Sequence, residues 1–298
     1  MREVRIPSFA KINLNLDILG KRADGFHELR TIFQTVSLHD ELALSVTRAP
    51  GISLTVRGNA ALSTEPPERN LVYRAVESLQ REFQHSNGVR ITLKKTIPAG
   101  AGLGGGSSNA AAALIGYLRL TGTKLPLARL LEIGASFGAD VPFFLLGGRA
   151  VGVNRGDEIY PLADIPRRTL LIVMPRGIRV PTADAYSWLA APALTNSAAS
   201  PRLWGFCALS WSAQGSGLSN DFEAPVFRRF PRLAEIKQEL FRDGAAEALL
   251  AGSGSAVFGV FPSPAKARRA VRGFLNDQTF VCETLPRERF LRAMKRPV

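Results

Sequence analysis

Cysteine is scarce in this sequence: only Cys207 and Cys282 occur in 298 residues. They form no C-x-x-C pair and have no histidine near them, so a disulfide framework and a structural zinc site are both excluded. Long apolar runs are missing too. The longest, near Ala110–Tyr117 and Leu170–Met174, fall well short of the roughly 18 residues of a membrane helix. The amino terminus, Met1-Arg2-Glu3-Val4-Arg5-Ile6, has neither an apolar targeting core nor an Arg/Ser-rich presequence. A soluble cytoplasmic protein with reduced thiols and no membrane partner is therefore expected. Acidic residues are outnumbered, 25 against 38 Lys and Arg, which leaves a net charge of +13. Such a balance fits either a nucleic-acid partner or anionic substrates. The basic residues of the last third, such as Arg228, Arg229, Arg268, Arg269 and Arg272, are spaced like solvated helix faces, so no nucleic-acid partner is expected.

What is present is the composition of an ordinary globular protein, 46% hydrophobic and 21% charged, long enough for two domains. Val4, Ile6, Ile12, Leu14, Leu16 and Ile18 alternate as in a strand, with Lys11 and Asn13 on the opposite face. That face either meets a ligand or is wet. Asp24-Gly25 marks a turn. Thr31–Val36 and Glu41–Val46 read as two strands with a polar turn between them, and Ile52–Val56 and Val89–Lys95 as two more. A helix is predicted from Asn70 to Phe83, another from Ser107 to Leu120, and a third from Pro126 to Phe137. The pattern resets near residues 161–169. Beyond it come a buried strand at Leu170–Met174, helical stretches near 182–190, 221–228 and 231–243, a strand at Val257–Phe261, a helix at Pro264–Leu275 and a closing strand at Thr279–Thr284. This is an α+β pattern in two units, 1–163 and 164–298, with 191–219 as a long insertion.

Between the strand at Val89–Lys95 and the helix after it lies Pro98-Ala99-Gly100-Ala101-Gly102-Leu103-Gly104-Gly105-Gly106-Ser107-Ser108-Asn109. With so little side chain, its use is its backbone: successive N–H groups at a helix N-terminus make a phosphate site. Gly100, Gly102 and Gly105 spell G-x-G-x-x-G, yet no Asp or Glu occurs from Gly106 through Leu131 to take a ribose. The alternating strand before it is also not a buried parallel one, so a dinucleotide site is excluded. No Lys-Ser/Thr follows the glycines, which excludes the Walker A pattern. Ser107 and Ser108 can cap the helix or face a phosphate or Mg²⁺, and Lys94 and Lys95 stand just upstream. Phosphoryl transfer to a hydroxyl also needs a carboxylate to orient the nucleophile. Asp140, in Gly138-Ala139-Asp140-Val141-Pro142, is either that acid or a turn aspartate, and Lys11 is the natural cation to pair with it.

Ala10-Lys11-Ile12-Asn13-Leu14, the loop Pro98–Ala111, Gly138-Ala139-Asp140-Val141-Pro142 and Gly252-Ser253-Gly254-Ser255 together resemble the galactokinase, homoserine kinase, mevalonate kinase and phosphomevalonate kinase (GHMP) superfamily. Arg22-Ala23-Asp24-Gly25-Phe26-His27-Glu28-Leu29, the triple glycine before Ser107 and Ser219-Asn220-Asp221-Phe222-Glu223 resemble the branch acting on a cytidyl-diphospho-methylerythritol. Nearly the whole chain is covered, apart from about 191–217 and the last dozen residues. Phe9 stands where the family often has proline. Phe26 stands where tyrosine is usual, keeping a stacking face without the hydroxyl.

The resemblance implies an N-terminal domain like ribosomal protein S5, a C-terminal ferredoxin-like domain, and a site in the cleft. It implies transfer of the ATP γ-phosphate to the 2-hydroxyl of that alcohol in the non-mevalonate isoprenoid pathway, by a monomer or weak homodimer. Asp140 would be the base and Lys11 its cationic partner. Pro98–Ser108 would wrap the ATP phosphates, with Mg²⁺ carried by ATP near Ser107 or Ser108 and no metal held by the protein alone. Asn70 would lie near the adenine. Asn13 and His27 would address the methylerythritol and the cytosine, and Phe26 and Tyr186 would sandwich the ring. Thr182, Gly252 and Ser253 would complete the substrate side. A sister kinase for homoserine or a mevalonate-type alcohol and a basic nucleic-acid-binding protein are the competing readings.

Overall fold

The computed structural model describes residues 3–189 and 218–295. The expected insertion at 191–219, apart from its last two residues, and Cys207 lie outside the described residues.

β1 (Glu3–Lys21) and β2 (His27–Thr47) pair antiparallel as one long hairpin. At its tip the Asp24 carboxylate accepts the backbone N–H of Phe26 at 3.1 Å, and Gly25 takes φ +85°. The Asp-Gly pair thus turns the chain by side-chain capture and a left-handed glycine. The polar stretch Ser37–Asp40 does not turn, and β2 runs unbroken through it. Its polar groups find partners inside the protein: Ser37 Oγ accepts from Glu283 N at 3.0 Å, the His39 ring lies 5.3 Å from Phe9, and Asp40 is fully buried in hydrogen bonds. A satisfied polar run has no need of solvent, so it can stay in a strand.

Seven strands of the described residues form the first sheet, in the order β3 (Ile52–Arg57), β4 (Gly88–Lys94), β2, β1 and β8 (Ser219–Asn220), with β5 (Arg149–Val153) beside β2 and β6 (Glu158–Pro161) beside β5. β4 (Gly88–Lys94) is antiparallel to β2 but parallel to β3 (Ile52–Arg57). After the short helix α1 (Ala60–Thr64), α2 (Leu71–Glu82) and α3 (Gly105–Thr121) cover this sheet. Ala110–Ala113 and Gly116 bring α3 close, since a Cβ at Gly116 would sit 2.8 Å from Leu44. α4 (Leu127–Ala135) and α5 (Val141–Leu146) follow.

A second sheet, ordered β11-β7-β10-β9, is antiparallel throughout: β7 is Thr169–Met174, β9 Glu247–Leu250, β10 Val257–Phe261 and β11 Gln278–Glu283. One face carries the helices Pro231–Arg242 and Pro264–Ala270 through Leu233, Ile236, Leu240 and Ala267. The helix predicted to reach Leu275 ends at Ala270, and a 3₁₀ turn over Val271–Phe274 buries Phe274. The other face joins Leu170, Ile172 and Phe258 to Ala10, Ile12, Leu14 and Val36 of the first sheet in one apolar cluster. The halves also trade elements. β8 (Ser219–Asn220) pairs parallel with β1, and the helix Arg287–Lys295 returns Phe290 and Met294 to the first core. The architecture is α+β.

Candidate active site

The cleft between the halves encloses 1210 Å³. β1 sends Lys11 and Asn13 into it while Ile12 and Leu14 go to the apolar cluster between the sheets, as strand alternation requires. The pairing of β1 with β2 slips between Phe9 and Lys11, and the Lys11 N–H is given instead to Leu103 O at 3.0 Å. That irregularity ties the glycine loop over Lys11. The Lys11 ammonium donates to Asn13 Oδ1 at 2.8 Å, lies 3.5 Å from Asp140 Oδ2, and sits 5.3 Å from the Phe33 ring centre. Its side chain is 6% exposed against 30% for Asp140, so the cation is fixed and the carboxylate open to the cleft. Asn13 is held in turn by Thr31 Oγ1 at 2.7 Å, whose own hydroxyl donates to Asn15 O at 2.6 Å.

Pro98–Ser107 lines the cleft. Gly104 has φ +68° and caps α3, and a Cβ there would lie 2.7 Å from the Phe144 ring and 3.1 Å from Lys11 Cγ. Gly102 has φ +77°, and its Cβ would collide with Ala251 O of the second glycine loop. The first N–H groups of α3 have no carbonyl of their own helix to meet, and no side chain caps them. They open an anion site at the loop. Ser107 lines the cleft, its hydroxyl 3.7 Å from where a Gly138 Cβ would be, which puts it on the wall that carries Asp140. Ser108 does not reach the cleft. It is buried, its hydroxyl accepts from Ser8 Oγ at 2.8 Å, and its N–H goes to Gly104 O. Of the two serines expected near Mg²⁺, only Ser107 faces that way.

Asn70 caps α2, its Oδ1 accepting from Val72 N at 3.0 Å, and it lines the same cleft beside Pro98 and Ala99. Phe26, His27, Thr182, Tyr186, Gly252 and Ser253 line the cleft as well. Thr182 and Ser253 hydroxyls meet at 3.2 Å. Asn220 donates to Leu250 O and Gly252 O at 2.9 and 2.7 Å, which fixes the second glycine loop. A Cβ on Gly252 would come within 3.4 Å of the Lys11 ammonium. His27 stacks on Tyr186 at 5.1 Å, and Tyr186 meets Phe222 edge-on at 4.9 Å. Phe26 instead lies under Arg155, 4.9 Å from its guanidinium, and is 54% exposed. The aromatic sandwich of Phe26 and Tyr186 is thus not preformed, because His27 occupies the Tyr186 face. Burial, then the charge of Lys21, lowers the His27 pKa, and burial, then the charge of Asp140, raises that of the Tyr186 phenol.

Residues that the sequence patterns did not single out also line the cleft. Arg155 and Asp157 sit in the turn between β5 and β6, with Arg155 on Asp157 Oδ2 at 3.0 Å. Lys95, one of the two lysines noted just upstream of the glycine loop, lies behind that loop, ion-paired with Asp40. Among the described residues no group of three or more His, Cys, Asp or Glu is placed to hold a metal ion.

Comparison with known proteins bears on both halves. The family model described as "GHMP kinases N terminal domain" matches residues 70–148, and "GHMP kinases C terminal" matches 203–278. Fold and cleft thus define a GHMP kinase, an ATP-dependent phosphotransferase acting on a hydroxyl group. The chain is 43% identical to the 4-diphosphocytidyl-2-C-methyl-D-erythritol kinase of Solibacter usitatus (strain Ellin6076), over 97% of this chain and 91% of the relative. It is 41% identical to the enzyme of that name from Moorella thermoacetica, over 90% and 94%. A crystal structure of 4-(cytidine 5'-diphospho)-2C-methyl-D-erythritol kinase superposes with a TM-score of 0.75 at 34% identity, over 93% of this chain and 98% of that one. The chain belongs to the family of these kinases. A mevalonate kinase structure at 15% identity and a TM-score of 0.67 shares the fold.

Proposed function

We propose that the cleft transfers the γ-phosphoryl group of ATP to the 2-hydroxyl of 4-diphosphocytidyl-2-C-methyl-D-erythritol, a step toward isoprenoid precursors by the non-mevalonate route. The observation that carries this is the Lys11–Asp140 pair, 3.5 Å apart in the cleft that the glycine loop, Phe26, His27 and Tyr186 also line. Residues 1–163 supply the loop and this pair, and 164–298 supply Thr182, Tyr186, Gly252 and Ser253.

Asp140 accepts the proton of the attacking hydroxyl as the oxygen forms its bond to the γ-phosphorus and the electron pair of the breaking bond leaves on ADP. Lys11, held by Asn13, places a cation where negative charge gathers on the transferring group. The loop and the N-terminus of α3 take the nucleotide phosphates, with Asn70 toward the base. The donor set suits a Mg²⁺ that arrives on the nucleotide: Ser107 offers a hydroxyl and Asp140 a carboxylate in the same cleft. That ion neutralises phosphate charge when bound. His27 and Phe26 recognise the cytosine. His27, neutral because its pKa is lowered, offers one ring nitrogen as acceptor and one as donor. The positive balance of the chain serves two anionic substrates, and no nucleic-acid partner is needed.

Asp140→Asn tests the mechanism. Loss of base catalysis lowers kcat by roughly 10²–10⁴ with ATP affinity and melting temperature retained. Turnover equal to the parent enzyme's would remove Asp140 from the chemistry.

A further inference from the structure

Behind the glycine loop lies a buried polar cluster, of which Lys95 and Asn109 reach the cleft. Asp40, fully buried near the middle of β2, uses both carboxylate oxygens. Oδ1 accepts the backbone N–H groups of Thr96 at 2.6 Å and Ile97 at 2.8 Å. Oδ2 accepts the Lys95 ammonium and, at 2.8 Å, the Asn109 side-chain amide. Asn109 also donates to Ser8 Oγ at 2.8 Å and accepts from Lys95 Nζ at 3.2 Å, while Ser8 donates to Ser108. Asp40, Lys95, Asn109, Ser8 and Ser108 are all buried.

Thr96 and Ile97 lead into the glycine loop, and Ser108 and Asn109 belong to the first turns of α3 that leave it. One carboxylate therefore grips both roots of the loop. We propose that Asp40 is the positioning residue of the phosphate loop: it fixes the two roots relative to each other, and through Lys95 it balances the charge of the site. A bare anion under a phosphate site would repel the ligand, and its pairing with Lys95 removes that cost. The Lys95 ammonium spends two of its three protons on Asp40 and Asn109. It lies 3.2 Å from where a Cβ of Gly105 would be, at the first turn of α3, and lines the cleft. The pair is thus neutral as a whole, with its cationic end toward the phosphates. Strand β2, three hydrogen bonds and one ion pair set the aim of the loop's N–H groups before nucleotide arrives, the preorganisation that a phosphate site needs.

This inference rests on the reading that the loop takes nucleotide phosphates, and its test uses binding so that it stands apart from the choice of alcohol. Asp40→Asn keeps the volume but turns an N–H pair toward the Lys95 and Asn109 donors. Titration calorimetry with ADP and Mg²⁺ is expected to show affinity weakened by about tenfold, the factor of one lost charge-assisted hydrogen bond, with affinity for the cytidyl alcohol within about twofold of the parent. The double variant Asp40→Asn/Lys95→Met removes the uncompensated buried charge. It is expected to recover the melting temperature without recovering ADP affinity. A merely structural role predicts otherwise, namely that ADP and alcohol affinity fall together with melting temperature and return with it. That result overturns the proposal, as does unchanged ADP affinity in either folded variant. If Asp40→Asn does not fold, the double variant decides alone.

Discussion

His27 shows how one side chain carries the pH response of the cleft. Burial first, and Lys21 second, hold its pKa below the usual value of 6.5. The imidazole is therefore neutral throughout neutral pH, and protonation sets in only below that value. The KM for the cytidyl alcohol is expected to stay flat from pH 8 to about 6.5, the unperturbed histidine value, and to rise at lower pH. Lys21→Met removes the repelling cation, so the rise moves to higher pH, and steady-state kinetics across pH reads the displacement. Phe26 gives a second handle. Its ring is exposed apart from the Arg155 guanidinium, which Asp157 holds in place. An exposed cation–π contact contributes about 0.5–1 kcal/mol, so Arg155→Ala should raise the alcohol KM about two- to fivefold and leave that for ATP alone. An equal change in both would mean that Arg155 acts on the whole cleft rather than on the ring. Strand alternation puts Lys11 and Asn13 on one face, and the flanking glycines draw attention to Asp140. These local signals leave each residue two readings, and the resemblance to the GHMP kinases is what singles them out. Lys95 shows in the sequence only as a lysine upstream of the loop, and its partner Asp40 does not show at all. They lie 55 residues apart and meet only through the pairing of β2 with β4.

The glycine loop is defined by what its backbone approaches. Gly100 and Gly102 both have positive φ, +71° and +77°, yet a Cβ at Gly100 meets nothing within 4 Å whereas one at Gly102 collides with Ala251 O. Backbone strain of about 1–3 kcal/mol is common to both alanine variants. Only Gly102→Ala also pushes the two glycine loops apart, and Ala256 N gives up its 3.2 Å bond to Ala101 O. Gly102→Ala is expected to melt lower than Gly100→Ala and to lose more ATP affinity. Similar melting temperatures and nucleotide affinities would show that contact between the loops is unimportant. Most elements were legible because their periodicity is local: the helix predicted from Asn70 to Phe83 is Leu71–Glu82 with Asn70 as cap, and Val257–Phe261 is a strand as read. The turn expected at Ser37–Asp40 is instead part of β2, because polarity alone does not separate a solvated turn from a buried, hydrogen-bonded strand segment.

At the scale of the whole molecule, the two sheets share one apolar cluster and exchange elements at β8 and at the helix Arg287–Lys295. A division near residue 163 leaves β8 of the first sheet, and Phe290 and Met294 of the first core, on its far side. Phe290 is buried, packs 5.7 Å from Phe9, and fills the space beside Gly147 where a Cβ would clash. Phe290→Ala is expected to cost about 3–5 kcal/mol and to lower the melting temperature of a single transition. Two separate transitions in scanning calorimetry would show that the halves are stable apart. The basic balance has a structural share as well: Arg232 meets Glu239 at 2.7 Å and Asp277 at 3.0 Å, and Arg168 meets Glu247 at 2.7 Å. These cations hold elements together.

A cleft lined by a phosphate loop and a base pocket couples ATP to one kind of alcohol. ADP release measured with the cytidyl-diphospho alcohol, homoserine and mevalonate as acceptors tests it most directly. Turnover with the cytidyl alcohol and none above background with the other two is predicted. Equal or faster turnover with homoserine or mevalonate, or ADP release that needs no alcohol, would contradict it.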